Sequence, residues 1–140
     1  MKKCAKGTLA GWMFLFLLTT MTHPVLAADF DGSKPLVCAM IEAFECGPDT
    51  GCEAGTPESN GLSRFLRVDV GRKEVRTTRQ SEERASKIEK VEHADGLLLL
   101  SGTQSGRGWT LTINESTGYM VLSVAGDQVA FVVFGACTQP

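Results

Sequence analysis

From Leu62 onward the chain is a series of short apolar runs, cut at intervals of about eight to twelve residues by Gly, Asn, Asp and Ser. A chain interrupted this often lacks the length for ordinary helices, but each run is long enough for a strand that buries one face. The spacing predicts an all-β fold: an antiparallel meander of about seven or eight strands forming a small barrel or sandwich.

The individual runs support this. Leu66, Val68 and Val70 alternate with Arg67 and Asp69, and Gly71-Arg72-Lys73 turns the chain into residues 74–78, which predicts a hairpin. Around residues 86–93, Ala85, Ile88 and Val91 recur at near-helical intervals, yet Ala94-Asp95-Gly96 leads directly into 97–100 and favours a strand over 86–93 too. Trp109, Leu111 and Ile113 alternate with Thr110, Thr112 and Asn114. The sequence 114–118 then supplies a turn ending in Gly118, and 119–124 returns. Residues 128–137 are almost continuously apolar, which predicts a strand covered on both faces, either central or barrel-closing. A first strand over 37–44 completes the set, and residues 47–61, rich in Gly and Pro, are expected to form one long irregular loop suited to binding.

The N-terminus reads as an export signal. Lys2, Lys3 and Lys6 precede an apolar run over 9–18, and Val25 and Ala27 suit the positions three and one before a cut. The apolar run is shorter than the ~20 residues needed to cross a bilayer. The expected division is therefore a signal peptide over 1–27 and one disulfide-stapled domain over 28–140, exported to the periplasm or secreted, with no membrane span after cleavage. Cys4 precedes the apolar run and is lost with the peptide.

Four cysteines remain, Cys38, Cys46, Cys52 and Cys137, and an even count in a small exported domain indicates disulfides. Cys38 and Cys46 at the two ends of one strand would lie about 26 Å apart at ~3.3 Å per residue, far beyond the ~7 Å that a bridge spans. Cys46-Gly-Pro-Asp-Thr-Gly-Cys52 is rich in turn formers, so its ends can meet and leave Cys38 for Cys137. A zinc site is disfavoured by the spacing, and a redox pair by the lack of a Cys-x-x-Cys motif.

Residues 28–140 hold eleven basic and sixteen acidic side chains, a net charge of −5, so nucleic acid is not an expected partner. The charge is uneven: 64–93 is a basic island containing Arg72, Lys73, Arg76 and Arg79, read first as the solvated face of a strand pair. Phosphate-loop, dinucleotide and zinc-helix motifs are missing, and no metal ligand, cofactor or catalytic residue is assigned. Gly102-Thr103-Gln104-Ser105-Gly106 superficially resembles a nucleophile elbow but joins two strands, so Ser105 reads as a loop serine. His93, Asp95 and Ser101 permit a triad only on paper. Glu42 shares parity with Cys38, Met40 and Phe44; if that face is the interior, it is the titratable group of most interest, although a rim position is the plainer expectation. Trp109, Tyr119, Phe131 and Phe134 could line a ligand cavity, although plain core is the commoner use of such residues.

Residues 102–109, 114–118 and the ending Phe134-Gly135-Ala136-Cys137-Thr138 resemble small exported bacterial proteins of unknown function. The resemblance implies a periplasmic location and carries no catalytic residue. In architecture the chain is also similar to periplasmic lysozyme inhibitors, small disulfide-bearing β barrels, but of their serine-containing loop only Ser101-Gly102 is matched. The function expected is a binding or interaction module of the bacterial cell envelope, with a protein or small-molecule ligand. The alternatives are a small metal-independent hydrolase using His93 or Glu42, and an envelope structural protein without a discrete ligand.

Overall fold

A computed structural model describes residues 29–79 and 82–140; the expected signal peptide and its cut lie outside them. The described chain is all β. Its strands are β1 (Leu36–Gly47), β2 (Gly51–Gly55), β3 (Phe65–Asp69), β4 (Glu74–Arg79), β5 (Glu82–Lys87), β6 (Lys90–Ala94), β7 (Leu97–Gln104), β8 (Arg107–Asn114), β9 (Tyr119–Gly126) and β10 (Val129–Thr138). They form one antiparallel sheet in the order β5-β4-β3-β1-β10-β9-β8-β7-β6, with β2 paired to the far half of β1. The sheet curls into a half-barrel around a single core.

The meander contains more strands than the apolar pattern indicates, for two local reasons. The stretch expected as one irregular loop begins instead with β2, which pairs Ala43 through Gly47 with Gly55 through Gly51. Its residues are mostly exposed, so no buried alternation marks it in the sequence. The expected strand over 86–93 is broken at Ile88-Glu89, where the chain leaves β4 and passes to β7.

The turns follow local chemistry. Asp95-Gly96 and Ser105-Gly106 take positive φ at both positions (51° and 76°, 51° and 77°), the geometry that suits two-residue hairpins with right-handed strand twist. Asn114 caps its own turn, its Oδ1 accepting from the backbone N–H groups of Ser116 and Thr117.

β10 is central, between β1 and β9, as its apolar run predicts. The expectation of burial on both faces is not met. Phe131, Val133 and Cys137 face the core, while Phe134 on the outer face is 44% exposed and rests edge-on against Phe44, ring centroids 6.1 Å apart. With Tyr119, 70% exposed, it gives the outer wall an apolar surface that a continuous apolar run cannot distinguish from buried sheet.

Two disulfides staple the sheet, each between directly opposed residues: Cys38 to Cys137 across β1 and β10, inside the core, and Cys46 to Cys52 across β1 and β2. Such bonds belong to oxidising compartments, which fits a non-cytoplasmic protein. Among the described residues no helix is long and apolar enough to cross a membrane.

Candidate ligand-binding site

One end of the half-barrel is plugged and the other is open. The segment before β1 closes the first end: the Phe30 N–H donates to the Glu115 carbonyl, its ring sits against Gly118, and Gly32 packs on Val70 and Leu98. At the opposite end the inward side chains do not meet, and they leave a half-open cavity of about 560 Å³. That volume lies within the ~300–1,000 Å³ usual for small-molecule sites.

The strand alternation that builds the core also builds this cavity. Met40, Leu66, Val75, Leu111 and Leu122 form its apolar wall, all buried or nearly so. Thr77, Arg84, Gln104, Ser105 and Arg107 supply polar groups, and Arg84, Gln104, Ser105 and Arg107 are exposed at the rim. The chain following β2 adds Gly61, Leu62 and Ser63. These residues are held by a compact turn in which Asn60, Gly61 and Leu62 N–H groups donate to the Thr56, Glu58 and Pro57 carbonyls. The second half of the stretch expected as a loop is thus ordered, and it contributes a wall. Arg64 clasps it from outside through Glu58: the guanidinium hydrogen bond and charge hold the Glu58 carboxyl below its ordinary pKa.

Trp109 joins the cavity to the seam where the two sheet edges approach. Its indole N–H donates to the buried Ser86 Oγ at 2.8 Å, and its ring covers Gly102. A Cβ at Gly102 would collide with the Lys87 carbonyl and with the indole, so this close approach requires glycine. The seam continues through Gln104 Nε2, which donates to the Ala85 carbonyl, and through the Glu89 carboxylate, which accepts from the Thr103 N–H and Oγ1.

The other candidate residues are scattered. Glu42 is on the outside: the register of β1 against β10 shifts between Met40 and Glu42, so the inward phase passes from Cys38 and Met40 to Ala43. Glu42 is exposed, as is Ile41 at 67%. His93 lies at the plugged end, where its Nδ1 is 2.6 Å from Glu115 Oε1. Its cross-strand partner is Leu98, and Ser101, three residues along β7, faces the opposite side. The His93, Asp95 and Ser101 set is therefore not assembled. Ser105 is the first residue of a hairpin turn and has no histidine partner among the described residues. Of the four aromatics, Trp109 lines the cavity, Phe131 is buried beneath Arg107, and Tyr119 and Phe134 lie outside.

The basic island is partly neutralised within its own hairpin: Arg72 pairs with Asp69 at 3.6 Å and Arg76 with Glu74 at 2.8 Å. Among the described residues no group of three or more His, Cys, Asp or Glu side chains is placed to hold a metal ion. Comparison with protein-family models, curated proteins and solved structures gives no match, so the reading of this site rests on its geometry.

Proposed function

We propose that this protein is an exported, disulfide-stapled binding module of the bacterial cell envelope, and that its ligand occupies the open end of the half-barrel. The observation that carries the reading is the cavity itself: an apolar wall, a few convergent polar groups and a volume suited to a small molecule, set on a rigid sheet. Export is supported by the charged, apolar and small-residue order of 1–27 and by the two disulfides.

This places the binding role at the barrel mouth and not on a free loop. Residues 47–61 act through Gly61 and the turn that positions it. Neither group proposed for hydrolysis faces the cavity, since Glu42 is on the outer wall and His93 is at the other end.

Native mass spectrometry of the protein purified from its own cell envelope tests the proposal. The expected result is an additional small mass that is lost on denaturation. A bare mass, together with no change in Trp109 fluorescence when the protein meets an extract of the same envelope, would sink it.

A further inference from the structure

The distribution of polarity and charge in the cavity specifies its ligand further, taking the binding-module reading as its basis. We propose that the cavity takes an amphiphile with an anionic head, its apolar part lying among Leu66, Leu111, Leu122 and Trp109 and its head meeting Arg107 at the rim.

Three observations carry this. First, the wall and the rim differ in kind: buried aliphatic side chains within, exposed polar ones at the opening, which matches a molecule with two chemically distinct ends. Second, the described lining contains no carboxylate and has the Arg107 guanidinium at its rim, although residues 28–140 carry a net charge of −5. The charge that Arg107 brings to the opening is opposite in sign to the chain's, which favours an anion there over a cation. Third, Arg107 is placed in advance. Its guanidinium stands over the Phe131 ring, 5.9 Å from the centroid, and its Cγ would be 3.0 Å from a Cβ at Gly126, so its stem lies along the β9 backbone. No carboxylate pairs with it among the described residues. A cation held by an aromatic face and a neighbouring strand loses little freedom when it binds an anion.

The carboxylate of a fatty acid and the phosphate of a lipid ester share this chemistry, and short-chain probes separate them. Protein expressed from the full chain would be titrated with octanoate, octyl phosphate, 1-octanol and octylammonium. Binding would be followed by calorimetry and by Trp109 fluorescence, since Trp109 is the sole tryptophan of residues 28–140. The expected result is that at least one anion binds about tenfold or more tightly than octanol, as a charge-assisted hydrogen bond provides, with octylammonium weakest. Octanoate ahead of octyl phosphate identifies a fatty-acid type of ligand, and the reverse order a phosphate ester. Arg107→Gln, at an exposed position that should leave the fold intact, is expected to reduce the anion's advantage severalfold while leaving octanol within about twofold.

Octanol binding as tightly as both anions would overturn the head-group assignment and leave the cavity reading standing. An anion advantage retained in full by Arg107→Gln would also overturn it. Failure of all four probes to bind would remove the cavity reading along with it.

Discussion

Gly135 shows how much one hydrogen atom in place of a side chain can decide. It is opposite Met40, just before the register of β1 against β10 shifts, and a Cβ there would overlap the Ala39 carbonyl. The strand can bulge at Ile41 and Glu42 only while the partner backbone comes this close. Gly135→Ala is expected to cost about 1–3 kcal/mol, because the atom in the way is backbone and cannot swing aside. Gly108→Ala is the control: a Cβ there meets nothing within 4 Å, so it should be neutral or slightly stabilising in the same urea titration. Equal losses would show that the bulge does not depend on the close approach. The bulge also explains why Glu42 could not be placed from sequence. Parity counted from Cys38 is sound along a regular strand, and nothing in Met40-Ile41-Glu42 announces that the count restarts. The residue that permits the restart is on another strand, almost a hundred positions away.

At the level of strands, what was legible depended on whether the determining contact is local. The turns at Asp95-Gly96 and at 114–118 were legible because positive φ and side-chain capping are set within a few residues. The central place of β10 was legible from its composition. β2 was not, since it is an exposed strand with no buried alternation. Nor was the break at Ile88-Glu89, which exists because the Ile88 N–H donates to the Lys73 carbonyl and the Glu89 N–H to that of Ser101, in two different hairpins. The cavity was half legible: Trp109 was a candidate for a ligand-facing aromatic, but the rim arginines come from β5 and β8, and only the curl of the sheet brings them to one opening. The seam between β5 and β7 is therefore the element whose strength most affects the site. Trp109→Phe removes the donor to buried Ser86 Oγ and should cost about 1–3 kcal/mol; Ser86→Ala leaves the indole N–H unsatisfied and should cost a similar amount. If the two groups act as a pair, the double variant will lose less than the sum by about 0.5–1.5 kcal/mol. Strict additivity in a double-mutant cycle would mean that the seam is held by packing alone.

On the scale of the whole molecule the two disulfides restrain very different things, and this separates their effects. Cys38 and Cys137 are 99 residues apart, so their bond closes almost the entire described chain into one loop, whereas Cys46 and Cys52 are 6 apart and close a single hairpin. Loop-closure entropy values the first at about 4–5 kcal/mol and the second at about 2 kcal/mol. Position sharpens the contrast. The long-range bond joins the central pair β1 and β10 within the core, across the sheet from the seam, while the short-range bond pins β2 at the edge. Replacing Cys38 and Cys137 together by alanine should therefore lower the urea midpoint of the whole domain by the larger amount, and the loss should fall mainly on the unfolded side of the equilibrium, where the chain regains its freedom. Replacing Cys46 and Cys52 by serine should cost about half as much and leave ligand binding at the barrel mouth unchanged, because neither residue lines the cavity. Equal losses for the two pairs would exclude chain entropy as the main source of stabilisation. Loss of binding in the second variant alone would mean that β2 positions Gly61 through Ser63, and that the hairpin belongs to the wall of the site.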